Sequence, residues 1–584
     1  MAIMNKLIVE YNYDLVDRDF DFYEITTTEK YIPRGAYILD KPNCEFKAES
    51  VVFDDHKTLY VMFRKSTVSR MRLVKMIDDD KLMVNTLQAS RLKTYILFRL
   101  FLFALNNYEN QELSFNNITG KLYICRPDWM AKNKKTFTSL GVNVDNEMNI
   151  IAEAVTFSLL SNFKNAKKFK DYPKYIFSNK NCALKRVTSD DYGQEVYIKR
   201  ASFNKKAVIP YFEFAPKSLK NNKVYHIYDI LAIMSQKYGQ YFSFKFDEIE
   251  ITKSIGHFRD EHFMDKALSQ FKDYKLNFVN FVKGAEFLTD FGDMVNRIVE
   301  GRNTNYHISP HIFADECNIV LIHNEDYYLD NDYVDPYKSF DRKSIIQCVS
   351  IEDSAYKIIE EKTAIIDTII KEVVIKHDII NTNRISLDDW ESFNFATDWI
   401  FGRACDNKVY FLIVHPDGKF DFLTKQNNFD SFNSDILDDC ANILFDDNQE
   451  KYVVSNGKDI ILITKTNRYI LPSSELFTLE TISRSKQSRE KYLSGVVDIN
   501  LFKLKDNQSF YNVGIKGSGM NTSIPHAPLL YKVKIIAGRN IIEDILGLMS
   551  ATFVKYKSFT VIPYPFKYLN EFILMNREYS SEEK

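Results

Sequence analysis

The chain has 584 residues, 45% of them hydrophobic and 27% charged, with a formal net charge of −2. Such a length exceeds what one core supports and points to about two to four domains, and the composition is that of a soluble globular protein. The near-zero charge excludes a uniformly basic nucleic-acid-binding chain, so a phosphate-binding surface would be a local channel offset by acidic patches such as Asp78-Asp79-Asp80 and Asp446-Asp447.

The seven cysteines are scattered and contain no C-x-x-C pair. They read as reduced thiols in a cytoplasmic setting, with neither a disulfide framework nor a zinc site. Most of the 45 Phe and 35 Tyr belong in cores, and the rest are available to stack on bases. The most apolar run, 95–105, is short and carries Arg99, so it is a core helix and no membrane partner is expected. No secretory leader is expected either.

Residues 1–140 alternate short aromatic and β-branched runs with polar turns, as in Lys6-Leu7-Ile8-Val9-Glu10-Tyr11. A helix is predicted over 85–107 and a strand over 121–125, an α+β pattern. Residues 141–250 add strands at 195–199 and 207–212 among frequent lysines and arginines, including Lys164, Lys185, Arg186 and Lys205. That charge run reads either as a solvated face or as a basic wall along a phosphate backbone.

Residues 251–385 alternate helix and strand: helices over 260–272, 284–300 and 364–376, strands over 276–282, 318–322 and 344–350, and an acidic, tyrosine-rich loop over 324–333. This order predicts a parallel sheet with any ligand at the carboxyl ends of its strands. From 386 onward, strands are predicted over 398–404, 408–414, 419–422 and 459–464, with a turn at His415-Pro416-Asp417-Gly418. The chain closes with Gly514-Ile515-Lys516-Gly517, a strand over 529–536, a helix over 541–556, the corner Val561-Ile562-Pro563-Tyr564-Pro565 and a last helix entered after Pro565.

That closing order resembles the end of a PIWI domain, the RNase H-like module of Argonaute proteins, where a "GIQG" turn, a "YHVL" strand, a long helix and an "S-[IV]-P-x-P" corner follow one another. The matching residues are Gly514-Ile515-Lys516-Gly517, Tyr531-Lys532-Val533 and Val561-Ile562-Pro563-Tyr564-Pro565. The pair Gln347-Cys348 resembles the family's "QC" strand in its MID domain, which holds the 5′ end of a guide strand. The resemblance implies an α/β multidomain chain: an α+β N-terminal domain (1–140), a linker region or degenerate PAZ (141–250), a Rossmann-like MID unit (251–385) and an RNase H-like PIWI domain (386–584). Within it, Tyr337 would stack on the first base, Gln347, Lys371 and Lys376 would hold a terminal phosphate, and Lys516 and Lys532 would follow the backbone. Where the family keeps a second lysine, this chain has Asp341, with Arg342 beside it as a substitute. Mg²⁺ at the 5′-phosphate is a further implication.

RNase H-type cleavage needs carboxylates converging on two divalent ions. The corresponding positions here are Arg403-Ala404, Lys465-Thr466 and Asn570, none of which offers a carboxylate. A shifted register would substitute Asp398, Asp406, Asp417 or Glu475. The resemblance therefore implies guide-dependent recognition of a complementary target without cleavage, in prokaryotic defence, with a separate effector protein. An active guide-directed endonuclease and a structural interaction subunit of the same fold are the alternatives.

Overall fold

A computed structural model describes residues 2–32, 48–105, 122–129, 135–162, 209–213, 219–255, 260–426 (apart from 283, 285–286, 332, 342 and 361–362), 434–445, 450–472, 499–504, 508–512, 529–549 and 562–576. The strand segments 114–117, 174–178, 183–187, 195–199 and 523–524 and positions 39, 173 and 527 complete that set. The fold is mixed α/β and divides into two compact units. One comprises Met1–Glu250, Asn467–Ser494 and Gly519–Pro528; the other comprises Ile251–Thr466, Gly495–Ser518 and Leu529–Lys584. Among the described residues, no helix is long and apolar enough to cross a membrane.

In the first unit, Phe20–Thr27 pairs antiparallel with Thr58–Arg64 and Leu82–Leu87 in a four-stranded sheet. The helix predicted over 85–107 is shorter than expected. Leu82–Leu87 is a strand, and the helix is Thr94–Ala104. The reason is periodicity: Leu82 and Val84 are buried while Met83 and Asn85 are exposed, a period of two that suits a sheet edge. Within the helix, residues 96–98 and 100–104 are all buried, and Arg99 Nε donates to the Val144 carbonyl at 2.5 Å. A second antiparallel sheet contains Leu122–Cys125, Thr136–Val144 and Ile150–Leu159. Thr136–Val144 runs straight through position 140, so a boundary there would divide a sheet.

In the second unit, four strands pair in parallel in the order Tyr306–Ile308, Leu276–Asn280, Cys317–Ile322, Ile345–Ser350. The helices Asp260–Phe271, Phe287–Val299 and Thr363–His377 accompany them, as the alternation predicts. The acidic segment expected as a loop holds a helix, Glu325–Asn331. Its start is capped by the Asn324 side chain, which accepts from the Tyr327 amide at 3.0 Å.

The rest of this unit is a sheet in the order Ile499–Lys503, Ser509–Asn512, Leu529–Ala537, Ile460–Leu471, Lys451–Ser455, Trp399–Cys405, Lys408–Val414, Phe420–Lys425. Its central strands bury both faces. Ile400, Val409, Phe411, Val453 and Leu462 pack against Leu437, Cys440 and Leu444 of the helix Asp435–Phe445. Phe401, Tyr410, Leu412, Val454 and Ile463 share a cluster with Phe566, Tyr568 and Leu569 of the C-terminal helix Pro565–Met575. That cluster continues into the parallel sheet through Ile319 and Val349 and into its helix through Ile370 and Val373, and it includes Ile385 and Leu387. The helix predicted over 541–556 is a short α-turn, Ile542–Ile545, that tightens to a 3₁₀ turn, Leu546–Met549; the remainder lies outside the described residues. Gly547, a poor helix former, sits in the tightened turn against Phe393.

Candidate functional site

The strand Ile345–Ser350 alternates buried and half-buried residues, which turns Gln347 inward with Ile345 and Val349. On the helix Thr363–His377, Glu372 and Lys376 are four residues apart and therefore share a face. Lys567 and Glu571 are placed likewise on the C-terminal helix. These three elements bring the five side chains into one network. Lys376 Nζ donates to the Gln347 Oε1 at 2.7 Å and to the Ile346 carbonyl at 2.8 Å. Gln347 Nε2 donates to Glu372 Oε2 at 2.8 Å. Lys567 Nζ lies 3.1 Å from Glu571 and 3.5 Å from Glu372. Glu571 Oε2 stands 4.0 Å from Lys376 Nζ, too far for a hydrogen bond. Burial pulls the Lys567 ammonium down, but the Glu571 and Glu372 carboxylates outweigh it and its pKa is raised.

Over this network lies a small pocket lined by Tyr337, Phe340, Asp341, Ser344, Ile346, Lys376, Glu571 and the end of the C-terminal helix. Tyr337 is half-buried on the 3₁₀ turn Pro336–Ser339, which Asp335 caps by accepting from the Tyr337 amide at 2.9 Å. Its ring packs against the cluster of Val279, Val320 and Ile322. Ser344 and Ile346 mark the beginning of their strand, so this pocket opens at a strand's amino-terminal end. The carboxyl ends, where a ligand was expected, hold a closed polar network instead: His323 Nδ1 meets Glu352 at 2.5 Å and its ring stacks on Tyr327 at 3.6 Å.

Of the predicted strand-end residues, Tyr337, Gln347 and Lys376 are brought together. Lys371 is buried at 7% exposure and is not part of the pocket lining. Lys532 is half-buried on Leu529–Ala537, opposite Phe510. Arg342 and Lys516 lie outside the described residues. Sequence reasoning missed Glu372, Lys567 and Glu571. Their signal was the pair of lysine–glutamate spacings of four on two helices, which ordinarily marks a solvated face.

The positions matched to family carboxylates do not all converge. Arg403 Nη1 donates to Asn570 Oδ1 at 2.5 Å, so the first and last positions meet. Ala404, its neighbour, faces the opposite side of the sheet and packs against the Val409 and Leu444 cluster. Arg403 is level with Ile463 through Tyr452, which leaves Thr466 roughly 10 Å further along its strand. The Thr466 hydroxyl donates to the Leu530 carbonyl at 2.6 Å. Among the shifted-register acids, Asp398 shares His415 with Asp421, each at 2.9 Å, and Asp421 and Asp398 together raise the imidazole's pKa. Asp406 occupies a turn with φ of +50°, Asp417 accepts from the Lys419 amide, and Glu475 lies outside the described residues.

Mg²⁺ at the strand end would need uncommitted oxygen ligands. Glu571 and Glu372 both face Lys567, and among the described residues no three His, Cys, Asp or Glu side chains stand close enough to share an ion.

A larger cleft of about 530 Å³ lies elsewhere in this unit, between His377, Asp378, Arg384, Trp390 and Gly418. Size alone does not make it the better site. Asp378 there is fully buried and accepts from the Ser386 amide and hydroxyl at 2.9 Å and the Tyr568 hydroxyl at 2.8 Å. Burial pushes its carboxyl up to about 7, despite those donors. Its oxygens are thus held by donors of the fold itself.

No family model matches the chain, and no curated protein matches it. Among solved structures, it is similar to the Kluyveromyces polysporus Argonaute with a guide RNA, at a TM-score of 0.45 and 9% identity, over 98% of this chain and 93% of that one.

Proposed function

We propose that this chain is an Argonaute-like protein that holds a short guide strand, RNA or DNA, by its 5′ end and pairs it with a complementary target strand without cutting it. The observation that supports this reading is that Tyr337 and Lys376 line one pocket, with Gln347 beneath it accepting from Lys376. An aromatic ring beside an amide and an ammonium suits a terminal nucleotide, with sequence left to base pairing. The meeting of Arg403 with Asn570 supports recognition without cleavage, since the guanidinium repels a divalent cation and occupies the Asn570 amide oxygen that could otherwise ligate one. A separate effector protein then acts on the recognised target, in prokaryotic defence and in the cytoplasm. The net charge of −2 favours a second reading, an interaction subunit of this fold that carries no nucleic acid.

The test is to purify the protein from cells and end-label any nucleic acid extracted from it. Short strands of narrow length support the guide reading and identify RNA or DNA. A folded sample that yields none, and binds no added oligonucleotide, would leave the interaction subunit in its place.

A further inference from the structure

We propose that the strand-end pocket takes a terminus bearing a 5′-hydroxyl rather than a 5′-phosphate. The proposal rests on the strand-binding reading and names the chemistry of the end. The described lining residues include one ammonium, Lys376, and two carboxylates, Glu571 and Asp341. Behind them, Lys567 and Glu372 add one charge of each sign and cancel. A phosphate monoester brings a charge of about −1.5 to −2 and acceptor oxygens alone, so it meets repulsion from both carboxylates.

Lys376 and Gln347 also spend most of their donors inside the protein. Lys376 spends two N–H groups on Ile346 and Gln347, and Gln347 spends its amide N–H groups on Glu372 and the Cys348 carbonyl. Glu571 is 9% exposed at its side chain, and its Oε2 stands 4.0 Å from Lys376 Nζ. A hydroxyl fits between them: its oxygen accepts the third Lys376 N–H and its hydrogen is donated to Glu571. Asp341, with one oxygen held by the Lys343 amide at 3.0 Å, offers a second acceptor at the rim.

The experiment compares one oligonucleotide, as RNA and as DNA, carrying either a 5′-hydroxyl or a 5′-phosphate, by fluorescence anisotropy on the full chain with Mg²⁺ and with EDTA. The hydroxyl strand is expected to bind about tenfold tighter than the phosphorylated one in both buffers. Asp341→Asn, which keeps the turn, and Glu571→Gln should each reduce that preference by roughly threefold. A phosphorylated strand that binds equally or tighter in either buffer overturns the hydroxyl assignment while strand binding stands. If it is tighter only with Mg²⁺, the carboxylates hold an ion and the assignment is likewise overturned. Binding of neither strand overturns both the assignment and the reading beneath it.

Discussion

At the scale of single residues, two positions singled out in the sequence meet as a cation and a neutral acceptor, Arg403 and Asn570. Asn570→Asp would set a carboxylate against the Arg403 guanidinium, turning a neutral acceptor into an ionic one. The variant is expected to melt at or above the parent temperature and to gain no Mg²⁺-dependent cleavage of a guide-paired target. Cleavage appearing on this one change would mean that further acids stand within reach. Asp378 gives a pH prediction. Its folded pKa of about 7 exceeds the ordinary 3.8, so between about pH 4 and pH 7 the unfolded chain loses its proton first and stability falls as pH rises. The full penalty, on the order of 4 kcal/mol at most, is present above pH 7. Asp378→Asn should therefore gain on the parent between pH 5 and pH 8 in denaturant melts, and a constant difference would refute the account.

At the scale of elements, close packing decides what the strands tolerate. A Cβ on Gly402 would meet the Phe411 ring at 2.4 Å and Leu444 at 3.3 Å. Gly402→Ala is expected to cost about 1–3 kcal/mol by overpacking, read as a lowered denaturant midpoint at unchanged slope. Gly418, at φ of +80° in the turn after Pro416, is needed for a different reason, its backbone conformation. The strands at 399–414 and the helix entered at Pro565 were legible because short apolar runs rich in aromatic and β-branched residues, bounded by turns, and a proline at the first helical turn are local signals. The Glu325–Asn331 helix was not, since its polar composition resembles a loop and its cap is a single asparagine. Of the candidate site, the sequence exposed Gln347 and Lys376 through a motif, but not Glu571 or Lys567. Their meaning depends on which helix face turns toward Gln347, a tertiary fact. Strand parity sets Arg403 and Ala404 on opposite faces of the sheet, with Arg403 toward Asn570.

At the scale of the whole molecule, a chain of net charge −2 has no general attraction for nucleic acid, so affinity must come from a defined place. The account assigns that place to the pocket at the start of the Gln347 strand, where a strand must present an end. The most direct test compares a linear single strand with a covalently closed circle of the same sequence and length, by competition for the full-length protein. The circle has the same phosphates and bases but no terminus. The account predicts that the linear strand competes at least about tenfold better, the equivalent of losing one charge-assisted contact set. Equal competition by the circle would contradict it and place any binding on the backbone alone.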